Sequence, residues 1–539
     1  MDQQGDAYIV FALLSFDHRE RLDSYLNALQ VVVDRHDILR TCILWEGLPE
    51  PLQVVQRKVQ VLVEEIELDL AAGDATRQLY ERFDPCRFRL DVRRAPLLRI
   101  YIGYDAGQDR WLMVKLAHHL MGDNTSLQTI FQEIQIQLVG AANTLPAPLP
   151  FRNLVAQMRL GNRREEHEAF FRHMLADIEE PTVPFGILEM RADVEDAHIQ
   201  LSDSLVQRIR KAARGLGVNS ASLFHLAWAM VLSMVSGRTE VVFGTVLFGR
   251  MDGGEAGRML GPFINTLPMH VHIGEEGARA SIWRTYGLLV DLLRHEHAPL
   301  TLAQSCSAVP APMPLFTALL NYRHSILQPA MNKKDWIAPG MDWLYSEERS
   351  NYPCVLSVDD SGDAFHLSAQ APASAGPMRL CEFMQTALMS LVEALEHSPH
   401  TAVCALEVLT GQERQQVLLE WNQTRHEIPQ NTTVVQMIEG HAALHPQALA
   451  VRDQHQGLSY EELNQLANQW AHRLRKLGVQ AESRVAVCME RGVEMIAAQL
   501  AVLKASAAYI PLDREQPTER LQFQINDSGA HVVLSLIHI

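Results

Sequence analysis

The stretch that most restricts the fold is "RWLMVKLAHHLMGDNTSLQTIFQEIQIQLVG", residues 110–140. Its first part alternates Leu112, Val114 and Leu116 with Met113, Lys115 and Ala117, the two-residue period of a strand. Then "DNTS" offers helix N-cap candidates, and Leu127, Ile130, Phe131, Ile134 and Leu138 recur at helical spacing. A strand that ends in a short loop and re-enters a helix belongs to an α/β architecture. The loop holds His118 and His119 side by side with Asp123 four residues after the second. Backbones in such loops are often irregular, and a side chain there can point into a cleft.

The rest of the chain repeats this alternation. Residues 19–41 read as one helix with Leu22, Tyr25, Leu26 and Leu29 as its apolar stripe. Strand-like runs follow at "LQVVQ" and "VQVLVEEI", and "FRLDVRRAPLLRIYIGYD" then leads to the histidine strand. Beyond the Pro-rich "NTLPAPLPF" comes a helical stretch, "NRREEHEAFFRHMLADI". Two helices then flank a Gly-Val-Asn break in "SDSLVQRIRKAARGLGVNSASLFHLAWAMVLSMVSG", the second apolar almost throughout and therefore expected in a core. "EVVFGTVLFGR", "GPFINTLPMHV" and "PLFTALLNYRH" read as strands or strand entrances, and "LCEFMQTALMSLVEALE" as an amphipathic helix. The chain of 539 residues has room for three or four compact units. The expected division is 1–155 and 156–400 as two similar α/β halves, 401–433 as a connector, and 434–539 as part of a further α/β domain.

Several function classes are disfavoured. A formal net charge of −17 argues against nucleic-acid binding, because phosphate contacts need a basic face. Seven scattered cysteines with no CxxC pair suggest neither a disulfide framework nor a zinc site, so no metal is expected and a reducing cytoplasm is the natural compartment. No run reaches the length of a membrane span; "YIVFALLSF" is too short and reads as a buried strand. GxSxG, HExxH, GxxxxGK[ST] and GxGxxG patterns are all missing, which leaves the paired histidines as the catalytic candidate.

Four segments then stand in a telling order: "RHDILRT" (Arg35–Thr41), "HHLMGDN" (His118–Asn124), "MLGPFINTLP" (Met259–Pro268) and "PLFTALLNYRH" (Pro314–His324). Together they resemble the ordered motifs of the condensation domain of nonribosomal peptide synthetases. "LTGQERQQVLLEWNQT" resembles the stretch joining such a domain to an adenylation domain, and "LSYEELNQLANQWAHRL" with "LKASAAYIPLD" resembles the first pieces of that domain. The resemblance implies two chloramphenicol-acetyltransferase-like halves forming a V with a tunnel, followed by a partial adenylation domain. Where the family's HHxxxDG ends in glycine this chain has Asn124, so the loop must accept a Cβ there; Asn tolerates φ > 0 better than most residues. The family's first N-terminal motif is missing, and the chain stops before the Gly- and Ser/Thr-rich phosphate loop of the adenylation domain. A fragment of a longer synthetase is the expectation, its adenylation part inactive.

The resemblance also implies a chemistry. A donor acyl or peptidyl thioester and an acceptor aminoacyl thioester arrive on the 4'-phosphopantetheine arms of upstream and downstream peptidyl carrier proteins. The acceptor amine attacks the donor carbonyl and an amide results. His119 corresponds to the family's central residue, either taking the amine proton or positioning the intermediate. His118 is the structural member of the pair, and Asp123 is expected to hold the loop through an ion pair with Arg35 or Arg40, Gly122 and Asn124 supporting the turn. Asn265 faces the tunnel or forms a turn; Tyr322 and His324 line the cleft or cap a strand. Three rival readings remain: a coenzyme A-dependent HHxxxD acyltransferase, an epimerising relative, and a non-catalytic docking module. The attached adenylation start disfavours the first and second, and the retention of both histidines disfavours the third.

Overall fold

The computed structural model describes residues 5–6, 8–69, 71, 73–85, 87–160, 164–189, 194–249, 259–324, 339–427 and 430–535. They form two compact units, Met1–Glu420 and Trp421–Ile539.

The first unit has two α/β lobes. One is built on a five-stranded sheet in the order Met341–Glu347, Ile9–Phe16, Arg110–His118, Leu98–Asp105, Val63–Glu65. The alternation read along 112–117 sorts its side chains between two cores rather than between core and water. Met113 and Ala117 pack with Leu22, Tyr25 and Val32 of the helix Arg19–Arg35 and Phe131 and Ile134 of the helix Asn124–Leu138. Leu112, Val114 and Leu116 pack on the opposite face with Leu79 and Phe83 of the helix Ala75–Phe83. Lys115 is the polar exception, buried with its ammonium 5.8 Å from the centre of the Trp343 ring. Burial pushes its pKa down to about 8.

The helix expected over 19–41 ends at Arg35. Residues Ile38–Arg40 tighten into a 3-10 turn, closed by the Thr41 hydroxyl donating to the Ile38 carbonyl at 2.7 Å, and a strand Thr41–Leu44 follows. The helix stops because the backbone turns extended at His36, φ −105° and ψ 128°.

The second lobe has a six-stranded sheet in the order Val194–Gln200, Phe365–Pro372, Cys354–Asp360, Ala318–His324, Glu240–Phe248, Ile264–His272. Its central strand Ala318–His324 runs parallel to both neighbours, and every other pairing is antiparallel. The apolar helix Ser220–Ser236 lies in the core as its composition demands, with Asn219 capping it by accepting from the Ser222 N–H at 3.0 Å. Among the described residues no single helix is long and apolar enough to cross a membrane.

The second lobe's run of sequence lends segments to the first lobe, which a cut at 155/156 does not anticipate. Met341–Glu347 leaves the second lobe's run of sequence and pairs antiparallel with Ile9–Phe16, placing Glu347 opposite Phe11. Met259, Leu260 and Phe263 likewise bury in the first lobe's core.

The second unit holds a three-stranded parallel sheet, Ala508–Pro511, Arg484–Val487, Val532–Leu534, with Tyr460–Lys476 and Val493–Lys504 supplying most of its helical core. The former helix opens on a capping box of Ser459 and Glu462, as its "SYEE" start leads one to expect.

Candidate active site

The paired histidines sit where strand Arg110–His118 leaves its sheet. The His118 N–H still donates to Leu97 and the His119 N–H to Tyr8, at 3.0 and 2.9 Å. Consecutive residues tied to opposite neighbours send their side chains to opposite sides. His118 turns inward: its Nδ1 accepts from the Leu120 N–H at 3.1 Å, so Nε2 carries the hydrogen, 3.3 Å from Asp6 Oδ2. This imidazole is fastened at both nitrogens.

His119 is arranged differently. Its Nδ1 lies 3.3 Å from the Gly122 carbonyl, an acceptor only, so Nδ1 is the donor. Its Nε2 points to Glu348 Oε1 at 3.1 Å. The His119 side chain is 15% exposed and that of Glu348 53%, so the contact opens to solvent on the carboxylate side. Burial disfavours the charged imidazole, but the Glu348 hydrogen bond and charge outweigh it, with the Gly122 carbonyl and Asp123 adding to them, and the His119 pKa is raised.

Gly122 and Asp123 shape the turn. A Cβ on Gly122 would fall 2.7 Å from Ser126 Cβ, so close approach selects glycine there. Asp123 caps the helix Asn124–Leu138 by accepting from the Ser126 N–H at 2.8 Å, and its Oδ2 accepts from the Phe263 N–H at 3.4 Å. The Ser126 hydroxyl lies 2.8 Å from Asp123 Oδ1 and accepts from the Gly261 N–H at 3.1 Å. "HHLMGDN" and "MLGPF" therefore meet directly, one from each lobe's run of sequence.

Arg35 and Arg40 are not the partners of Asp123 that the sequence suggested. Arg35 Nε and His36 Nε2 both approach Glu133 Oε2 at 3.0 Å, which ties the first helix to the helix that Asp123 begins. Arg40 donates to the carbonyls of Gln56 and Arg57. The reason is geometric: Asp123 is turned toward its own helix N-terminus and the Phe263 amide. Asn124 is the first residue of that helix and has no positive φ, so the tolerance invoked for it is not needed.

Asn265 lies within the strand Ile264–His272, not in a turn. Its amide donates to the Glu296 and Ala298 carbonyls at 2.7 and 2.8 Å, stapling that strand to a neighbouring loop. Tyr322 and His324 converge on Asp360 instead of His119: the phenol donates at 2.7 Å and His324 Nδ1 lies at 3.0 Å. Arg210 completes that cluster at 2.6 Å.

Sequence reading missed Glu348 and Asp6, the carboxylates facing the two histidines. Nothing in the local pattern of "SEERSNYP" marks Glu348; only the crossing strand brings it to the first lobe.

The first unit is thus a two-lobed α/β fold with an HHxxxD loop where a strand leaves its sheet. Comparison with known families narrows this. A family model described as "Condensation domain" matches residues 1–418, and one described as "AMP-binding enzyme" matches 438–538. The chain belongs to the condensation-domain family of nonribosomal peptide synthetases and continues into the start of an AMP-binding domain. It is 44% identical over 542 aligned residues to malpinin synthetase of Mortierella alpina, covering 99% of this chain and 7% of that protein. It is 43% identical over 542 aligned residues to malpibaldin synthetase of the same organism, covering 100% of this chain and 10% of that protein. The chain thus spans a tenth or less of these relatives' length. The crystal structure of a four-domain nonribosomal peptide synthetase bound to AMP and glycine superposes with a TM-score of 0.74 at 18% identity, over 99% of this chain and 42% of that one. The first condensation domain of the calcium-dependent antibiotic synthetase gives a TM-score of 0.57 at 18% identity, over 76% of this chain and 95% of that one.

Proposed function

We propose that the first unit forms amide bonds between a donor acyl or peptidyl thioester and an acceptor aminoacyl thioester, within a synthetase making a secondary metabolite. The observation that carries this is His119, held at a strand end by the Gly122 carbonyl with Nε2 directed to the solvent-open side. The substrates are carried on phosphopantetheine arms of upstream and downstream carrier proteins, whose length lets a thioester reach a recessed site. The acceptor nitrogen bonds to the donor carbonyl carbon, the C–S bond breaks, and the thiol leaves with the proton the amine gives up. Free α-amines titrate at about 7.7–8.0, so part of the acceptor is already neutral near pH 7 and orientation contributes alongside proton transfer. His119 is the catalytic residue of this reading, Asp123 and Gly122 hold its loop, and His118 is structural. The work takes place in the cytoplasm, as the cysteine usage suggests.

His119→Ala is expected to lower amide formation between two loaded carrier proteins by about 10²–10⁴-fold, the usual range for losing an acid or base. Near-wild-type product from a folded His119→Ala protein would end the assignment.

Residues 434–539 hold no Gly- and Ser/Thr-rich loop to cradle a triphosphate. By themselves they are therefore expected to activate no amino acid. Amino-acid-dependent exchange of pyrophosphate into ATP above a no-enzyme blank would overturn that.

A further inference from the structure

Glu348 stands at a place that nothing in its own sequence neighbourhood foretells. It follows directly on Met341–Glu347, the strand that the second lobe's run of sequence adds to the first lobe's sheet. The residues on either side of it are fastened. The Tyr80 hydroxyl donates to Glu347 Oε2 at 2.8 Å and the Tyr345 hydroxyl to the same oxygen at 3.1 Å. Arg349 pairs with Glu347 and donates to the Tyr80 oxygen at 3.2 Å. The Glu348 backbone is thereby pinned to the helix Ala75–Phe83, while its own side chain reaches His119.

The hydrogen-bond inventory of His119 has a consequence. Gly122 offers only a carbonyl, so Nδ1 must donate. An ionised Glu348 also only accepts, so a donor is required at Nε2 as well. Both demands are met together only by the imidazolium. We propose that Glu348 is a positioning residue that fixes the orientation of the His119 ring and sets the pH range over which it carries a proton. This inference rests on the reading of His119 given above.

The electrostatics agree in direction. The hydrogen bond from His119 holds the Glu348 carboxyl below the usual glutamate range against the opposing effect of burial, and the charges of His119 and Arg323 reinforce it. Arg323 is itself paired with Asp359, its Nε 2.7 Å from Oδ1. Among the described residues the other charged group acting on His119 is Asp123, fixed as a helix cap, while Asp6 faces His118. Glu348 pairs directly with the His119 ring while standing open to solvent, so an incoming acceptor amine can displace it from Nε2.

The test is an NMR titration of histidine-labelled protein, the His119 signal identified by its loss in His119→Ala. In Glu348→Gln the His119 midpoint is expected to shift to lower pH, because the neutral amide keeps the shape and removes the charge. Glu348→Asp is expected to return it toward the wild-type value. The limb of the condensation pH profile that belongs to His119 is expected to move to lower pH with it. An unchanged midpoint in folded Glu348→Gln overturns the proposal. So does a rate lowered equally at every pH, which a merely structural role would give. If the midpoint shifts as expected but the wild-type protein makes no amide, the coupling stands and the functional reading falls.

Discussion

Two clusters in the first unit each set a histidine against a carboxylate, and they differ in how that carboxylate is surrounded. Asp360 is 2% exposed and accepts from Arg210, Tyr322, the Gly362 N–H and His324. Glu348 is half exposed and faces one imidazole. A buried carboxylate with every lone pair engaged is a rigid strut, because moving it would strand several donors at once. A solvent-open carboxylate with a single ring partner can part from it at little cost. The contrast supports the proposal that the first cluster serves the fold and the second the chemistry.

The largest effect on the chemical side is the loss expected for His119→Ala. Its counterpart on the structural side is Asp360→Ala, which leaves the largely buried Arg210 without its carboxylate. Breaking such a pair costs about 3–5 kcal/mol. Denaturant melts should show that loss, while turnover per folded molecule is retained. A melt like the wild type's would break the comparison. The pH dependence follows from the sign of the Asp360 shift. Burial opposes ionisation, but Arg210 and Tyr322 outweigh it, so the folded-state pKa lies below the unfolded one. The stabilisation is therefore complete above the ordinary aspartate value of about 3.9 and fades as pH falls through the lowered folded value. The gap between wild type and Asp360→Asn should narrow in that acid range.

How much of this was legible in the sequence depends on how far each partner lies along the chain. The strand–loop–helix around His119 was readable because every signal in it is local: alternation, an Asx cap and helical spacing. The second lobe's core helix Ser220–Ser236 was readable for the same reason. What could not be read is pairing across lobes. Arg35 and Arg40 stand near Asp123 in the motif order but bind Glu133 and two backbone carbonyls. The Asp123 oxygens accept the Ser126 and Phe263 N–H groups, and the latter comes from the other lobe's run of sequence. Glu348 was invisible because the strand that delivers it crosses from one lobe to the other, and period and composition do not encode such a crossing.

The smallest effect sharpens the comparison most, because there the two readings of one residue part. Tyr322 belongs to a motif that also resembles a site element, and the sequence left it between cleft and strand cap. Its hydroxyl donates to Asp360 at 2.7 Å, and burial together with that bond pushes the phenol's pKa upward, so it stays protonated and remains a donor. Tyr322→Phe deletes one donor to a buried charge and leaves the ring packed near Phe224. Hydrogen bonds to charged groups contribute about 1.5–3 kcal/mol, and with Arg210, His324 and the Gly362 amide still in place the loss should fall at the low end of that range. Melting should therefore drop modestly, and turnover by the folded protein should be unchanged at saturating substrate. If turnover falls while melting does not move, the hydroxyl touches substrate, and the line drawn between a structural carboxylate cluster and a chemical one fails at Tyr322.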